Sequence, residues 1–225
     1  GLKKGSHVGI LIPNSPEFLF SWFGSMKGGF VGVTLNTLLK AEELEYIIND
    51  CDTEVLITTP QYRKMLEPSW RLLTKIKHVI LTGDEIPKEY QGTILLKDFL
   101  ANGDRNFTED VKPEDPASMI YTSGTTGSPK GVMLTHSNIV SQINQIPVKF
   151  TTEDRFLSLL PVWHIFERTF EMVGIAKGGC TYYTNIRNLK EDLQIVKPTF
   201  LASAPRLWES IYQGIMKKKK KAPSS

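Results

Sequence analysis

Along the chain, short apolar runs of strand length alternate with stretches whose apolar positions recur at helical spacing. His7-Val-Gly-Ile-Leu-Ile12 is a nearly continuous apolar run, as expected of a strand buried on both faces. Asn14-Ser15-Pro16-Glu17 follows and predicts a helix start: a capping residue, then proline where its missing N–H costs nothing. Phe18, Phe20, Trp22, Phe23 and Met26 give that helix its apolar surface, and Gly28-Gly29 end it. The same reading predicts strands over residues 30–34, 54–58 and 78–81, and helices over 41–49 and 62–76. In the first of these helices Leu44, Ile47 and Ile48 share one face. Residues 83–116 are rich in Asp, Glu, Pro and Gly and predict loops around one short strand at 93–96. Beyond them the alternation resumes. Strands are expected at 118–121, 132–134, 156–160, 181–184 and 200–202, and helices at 136–146, 165–177, 189–196 and 206–218.

Strands alternating with helices predict an α/β fold: a doubly wound, mostly parallel arrangement with helices on both faces. The 225 residues are enough for one large domain or two small units, and the loop-rich stretch suggests subregions 1–116 and 117–225. No internal repeat is evident. A net charge of +3 with interleaved acids and bases gives no case for a nucleic-acid partner. Cys51 and Cys180 have neither metal-ligand nor disulfide-framework spacing, so no metal site is expected from them and each is read as a small core residue. No apolar run reaches the length of a membrane span. The lysines at 217 to 221 read as the solvated end of a helix, where lysine suits the C-terminal dipole. Opening at Gly1 without a methionine, the sequence is expected to be a fragment, from which a targeting segment could be missing.

The chemistry concentrates between residues 121 and 131, Tyr-Thr-Ser-Gly-Thr-Thr-Gly-Ser-Pro-Lys-Gly. Such a loop can turn successive backbone N–H groups toward one point and form an anion nest. Thr122, Ser123, Thr125 and Thr126 add hydroxyl donors; Gly124 and Gly127 permit positive φ and close approach by a phosphate. Lys130 adds a point charge for phosphate oxygens. The Walker pattern is excluded, because it needs Gly-Lys-Ser/Thr leading into a helix. Here Lys130 follows Pro129 and leads into a predicted strand. An ordinary hairpin loop needs neither this length nor this hydroxyl density.

Ser123 to Gly131 resembles the signature loop of the adenylate-forming superfamily of acyl-CoA synthetases, luciferases and peptide-synthetase adenylation domains. Residues 18–36 and 41–58 resemble that family's first helix–strand units, so the likeness covers almost the whole chain. It implies an incomplete large N-terminal domain of the adenylate-forming fold. It also implies ATP-dependent activation of a carboxylic acid through an acyl-adenylate, then transfer to a thiol, with ATP, Mg²⁺ and coenzyme A as participants. On this resemblance Thr122, Ser123, Gly124, Thr125, Thr126, Gly127 and Lys130 hold the β- and γ-phosphates.

Leu160-Pro-Val-Trp-His-Ile-Phe-Glu-Arg168 lies at a predicted strand-to-helix junction, where open α/β sheets carry site residues. It resembles the family's motif beside the acyl and phosphate sites, which makes His164 a candidate for positioning the carboxylate or phosphates. A helix cap or core histidine is the alternative. For Glu167 and Arg168 a local surface ion pair is one reading and a catalytic role stays open, while Trp208 and Tyr212 read as packing residues of their helix. Phe166-Glu-Arg168, residues 183–192 and Ala204-Pro-Arg-Leu-Trp-Glu209 resemble long-chain fatty acyl ligases, including the acyl–acyl-carrier-protein synthetases. The resemblance therefore implies a long-chain fatty acid substrate, with coenzyme A or a carrier-protein thiol as acceptor. It is compatible with a cytoplasmic or peripheral-membrane location, or a plastid one if a targeting segment was lost. The family's later Tyr-Gly-x-Thr-Glu motif, ribose-binding aspartate and C-terminal domain are not found in the chain. The fragment alone is thus expected to be inactive, and a non-catalytic nucleotide-binding relic is the reading from another class.

Overall fold

The computed structural model describes residues 1–221 except 105, 106, 108 and 124–127, and the backbone alone at 215 and 217–221. Two compact units emerge. The first comprises Gly1–Pro147 with Val162–Thr169, the second Val148–Pro161 with Phe170–Ser225. The boundary expected after residue 116 falls inside the first unit, because the strand that begins there joins the first unit's sheet.

The first unit carries β1 (His7–Leu11), α1 (Pro16–Lys27), β2 (Val31–Thr34), α2 (Ala41–Asp50), β3 (Thr53–Thr58), α3 (Pro60–Met65) and β4 (His78–Leu81). These are followed by β5 (Ile94–Leu95), α4 (Leu96–Ala101), β6 (Pro116–Thr122), β7 (Lys130–Thr135) and α5 (His136–Gln145). The strands form one sheet in the order β5-β4-β3-β1-β2-β6-β7. Every pair is parallel except β6 with β7, which is an antiparallel hairpin. The connections β1→β2 and β2→β3 travel in opposite directions across the sheet. Right-handed crossovers therefore send α1 and α2 to opposite faces, which is the doubly wound arrangement the alternation predicted.

Side-chain alternation along β2 serves both faces. Val31, Val33 and Leu35 join Leu44, Ile47 and Ile48 of α2 in the main core cluster. Gly32 faces the other way, toward Trp22 of α1: a Cβ at Gly32 would lie 2.8 Å from Trp22 Cδ1. The fully buried Trp22 donates from Nε1 to Ser118 Oγ at 3.1 Å, and Ser118 donates in turn to the Gly32 carbonyl at 2.8 Å. Ser15 caps α1 by accepting from the Phe18 N–H, with Pro16 in the first turn.

The second unit carries β8 (Arg155–Ser158) and β9 (Cys180–Tyr183) as a parallel pair, with α7 (Leu189–Val196) and α8 (Pro205–Lys221). Helix α6 (Ile165–Ala176) begins in the first unit and ends in the second. Phe150, Phe156, Phe170 and Phe200 form an aromatic cluster in the second unit, with ring centroids 4.7–5.4 Å apart.

Several expectations are corrected. The helix read over 62–76 stops at Met65 and gives way to a 3₁₀ segment, Glu67–Leu72. Pro68 lies in that segment and cannot donate the hydrogen bond that an α-helix would need. Residues 83–116 hold α4 as well as a short strand. The strand read at 200–202 is a single bridge between Phe200 and Phe156. Cys51 is in the core as expected, but Cys180 is exposed. Trp208 and Tyr212 are also exposed.

Candidate functional site

Parallel strands expose their carboxyl ends together, and ligands of open α/β sheets bind beyond those ends where neighbouring connections diverge. β2 and β6 are such neighbours, since the chain leaves β2 toward β3 and leaves β6 toward β7. Off their carboxyl ends lies a cleft of about 990 Å³, wholly within the first unit. Its floor is Thr34 at the end of β2 with Leu35 and Asn36 beyond it, and Ile120 to Thr122 at the end of β6 with Ser123 beyond it. Glu42, Glu43 and Tyr46 of α2 line it too, as do Ser128 and Pro129 at the far end of the glycine-rich loop. Trp163, His164 and Ile165 also contribute to its lining. The volume is at the upper end of the range for small-molecule sites.

The loop springs from an antiparallel ladder in which Thr122 faces Lys130 and Tyr121 faces Gly131. Glycine at 131 leaves room for the Tyr121 ring, because a Cβ there would lie 3.2 Å from Tyr121 Cζ. The Tyr121 hydroxyl donates to Asp50 at the end of α2, at 2.5 Å. Burial, and then this bond to a carboxylate, push the Tyr121 phenol above its usual range. It therefore stays a neutral donor and ties the base of the loop to α2. Thr122 and Ser123 line the cleft, and Lys130 stands exposed just outside the lining. Gly124, Thr125, Thr126 and Gly127 lie outside the described residues.

His164 reaches the same cleft from a distant stretch of sequence. Val162 donates its N–H to Asn14 Oδ1 at 3.0 Å, and the Trp163 carbonyl accepts from Thr34 Oγ1 at 3.3 Å. Both anchors stand just beyond or at the ends of central strands, β1 and β2. His164 precedes the first residue of α6, and its Nδ1 accepts from the Phe166 N–H at 3.2 Å. The two readings of this histidine are thus compatible. Nδ1 caps the helix, and a ring whose Nδ1 accepts keeps its proton on Nε2, free to donate to a ligand. The ring stands edge-on to Trp163, with centroids 6.2 Å apart.

Glu167 and Arg168 correct the surface-pair expectation: both are buried. The Arg168 guanidinium lies 4.9 Å over the Trp22 ring, which makes it part of the packing under the site. Glu42 and Glu43 were not anticipated as cleft residues. Glu43 already serves α2, where its carboxylate accepts from the Lys40 N–H at 2.9 Å. Carboxylates on the α2 side repel a polyanion, so phosphates are better received on the β6–β7 side. Asn14, Thr34 and Tyr121 were also missed; the available signal was polar side chains at the ends of otherwise apolar strands. No cluster of three His, Cys, Asp or Glu side chains able to hold a metal occurs among the described residues.

Known proteins are similar to this chain in sequence and fold. A fatty acyl-CoA synthetase of Dictyostelium discoideum is 36% identical, matching 94% of this chain and 34% of its own length. A chloroplastic long-chain-fatty-acid–[acyl-carrier-protein] ligase of Arabidopsis thaliana is 32% identical, over 96% of this chain and 33% of its own. The crystal structure of an anthranilate CoA ligase in complex with anthranoyl-AMP superposes with a TM-score of 0.83 at 27% identity, covering 91% of this chain and 41% of that one. The chain thus spans about a third of the length of the curated relatives it matches. The family described as AMP-binding enzyme matches residues 1–225, and the chain belongs to that family.

Proposed function

We propose that the protein to which this chain belongs activates a long-chain fatty acid with ATP and passes the acyl group to coenzyme A. A carboxylate oxygen attacks the α-phosphorus, the bond between the α- and β-phosphates breaks, and pyrophosphate leaves with its electron pair. The thiolate of coenzyme A then attacks the acyl carbon and AMP departs. The fatty acid is already ionised at neutral pH, so the first step needs no general base.

The observation that carries the reading is one cleft in which Thr122 and Ser123 of the glycine-rich loop stand with His164 of the 160–168 motif. Charge builds on the leaving pyrophosphate, and preorganised donors stabilise it there. That role falls to the hydroxyls of Thr122 and Ser123, to Lys130 at the foot of β7, and to Gly124, Thr125, Thr126 and Gly127. The Nε2–H of His164 suits a carboxylate or phosphate oxygen. The expected Mg²⁺ is ordinarily held by substrate phosphates with one or two carboxylates; the described residues offer it no cage, and no step here is routed through it.

A carrier-protein phosphopantetheine thiol is the second acceptor reading, favoured by the 32% identity to the acyl-carrier-protein ligase. Pyrophosphate exchange on the whole protein, with fatty acids of graded length, tests the adenylation step. Supplying coenzyme A or carrier protein afterwards separates the acceptors. Exchange driven only by short or aromatic acids would contradict the proposed substrate.

A further inference from the structure

Residues 162–164 form a turn that belongs to no strand and no helix, so its backbone polar groups find their partners elsewhere. Val162 is fully buried, but His164 is exposed, and burial alone cannot fix its ring. Three hydrogen bonds restrain the turn. Asn14 Oδ1 accepts from the Val162 N–H at 3.0 Å, Thr34 Oγ1 donates to the Trp163 carbonyl at 3.3 Å, and the Phe166 N–H donates to His164 Nδ1 at 3.2 Å. The Thr34 bond acts at the peptide that leads into the histidine. That peptide is planar, so the carbonyl held by Thr34 and the His164 nitrogen share one rigid plate. Holding the carbonyl sets the direction in which His164 leaves the turn. Thr34 is itself firmly mounted. It is 3% exposed, and it pairs with Ile10 of β1 on one side and Ile120 of β6 on the other. Ile120 precedes Thr122 by two residues in the strand that feeds the glycine-rich loop. Valine would suit such a buried strand position equally well; the hydroxyl is explained by a carbonyl 129 positions away.

We propose that Thr34 is a positioning residue for fatty-acid activation: its hydroxyl, through the Trp163 carbonyl, sets the place of the His164 ring relative to the glycine-rich loop. Thr34 acts through His164 and not on the reacting atoms. Misplacing a group by a fraction of its contact distance is costly, because catalysis depends on donors already standing where charge develops. The effect on activity rests on the proposed adenylation in this cleft; the orientation of the ring does not. Thr34 also lines the cleft, so direct contact with a ligand is the rival role that the test must separate.

The test uses the whole protein with Thr34→Val, which keeps the branched shape and loses the hydroxyl, and Thr34→Ser, which keeps the hydroxyl. Palmitate-driven ATP–pyrophosphate exchange, per folded molecule, should fall roughly 3- to 10-fold in Thr34→Val, the range for one net hydrogen bond. In Thr34→Ser it should stay within about twofold of the parent. In a His164→Asn background the valine substitution should change exchange by less than about twofold, because residues that act through one another are not additive. Imidazole nitrogen resonances of His164, at about pH 8 where histidine is neutral, should place the proton on Nε2 in the parent and average the two tautomers in Thr34→Val. An equal loss from valine in both backgrounds overturns the proposal, since Thr34 would then act on the ligand itself. A valine variant with parental exchange overturns it too, as does a serine variant that falls as far as valine, or a His164 signal that valine leaves unchanged. If palmitate drives no exchange in the parent, the adenylation reading fails and the imidazole resonances alone decide the role of Thr34. Should Thr34→Val not fold, Thr34→Ala takes its place in each comparison with Thr34→Ser.

Discussion

Two glycine-to-alanine substitutions in adjoining elements should move stability in opposite directions. At Gly32 the added methyl would stand 2.8 Å from Trp22 Cδ1 and 3.3 Å from Nε1. Trp22 is fully buried and cannot swing aside without losing its bond to Ser118. Overpacking of this kind costs about 1–3 kcal/mol, and the strained hydrogen bond about 1 kcal/mol more. Against this, alanine restricts the unfolded chain and contributes about 0.4–1 kcal/mol. The steric cost wins, leaving a net destabilisation of about 2 kcal/mol, which is roughly 4–8 °C in Tm for a chain of this size. At Gly24, in the exposed middle of α1, nothing lies within 4 Å of a new Cβ. There alanine should stabilise by about 1 kcal/mol through helix propensity. Thermal and urea denaturation of both variants read the contrast. A Gly32→Ala protein as stable as the parent would refute the packing of Trp22 against β2.

His164→Asn keeps a side-chain acceptor for the α6 cap and removes the ring donor. Stability should hold within about 0.5 kcal/mol while fatty-acid activation falls, whereas His164→Ala should also lose about 1 kcal/mol of stability; equal stability losses with normal turnover per folded molecule would leave only the cap. Asn14→Ala strands the buried Val162 N–H, at a cost of about 1–3 kcal/mol, and should speed its hydrogen exchange; an equally protected Val162 amide would disprove the anchor. Stability should also fall in acid. The Lys77 ammonium, and then the Ser6 hydroxyl, hold the Glu54 carboxyl below its usual range, and Lys4 does the same first for Asp115, at 2.7 Å. A folded-state value below the unfolded one gives stability that is present above the usual carboxylate range and lost as pH falls through it, below about pH 4. Lys77→Met should flatten that decline in Tm, and an unchanged acid limb would remove Glu54 from the account.

Much of this architecture is legible in the sequence because its signals are local. The continuous apolar run at β1, the Ser15-Pro16 start of α1 and the helical spacing of Leu44, Ile47 and Ile48 each report an element without reference to the rest of the chain. The break after Met65 was hidden because apolar spacing continues through Pro68. The strand at 200–202 was over-read, since Phe200 belongs to an aromatic cluster and makes one bridge. The site divides in the same way. Hydroxyl and glycine density marked the loop, and His164 stood out by its motif. The residues that shape and anchor the cleft were not legible. Asn14 acts across 148 positions of sequence on Val162, and Tyr121 across 71 on Asp50. Such pairs exist only once strands β1, β2 and β6 lie side by side. Burial of Glu167 and Arg168 was equally invisible, because two adjacent opposite charges look like a surface pair in sequence, and the Trp22 ring against Arg168 is 146 positions away.

The central claim is that the loop between β6 and β7 grips the leaving pyrophosphate while a fatty acid attacks. ATP–pyrophosphate exchange driven by palmitate, on the whole protein and its Lys130→Ala variant, tests it most directly. Loss of a charge-assisted phosphate contact costs about 1.5–3 kcal/mol, so exchange should fall roughly 10- to 150-fold, while thiol transfer from a supplied acyl-adenylate stays near its original rate. Exchange that persists at the parent rate in Lys130→Ala, or that palmitate fails to drive at all, would contradict the account.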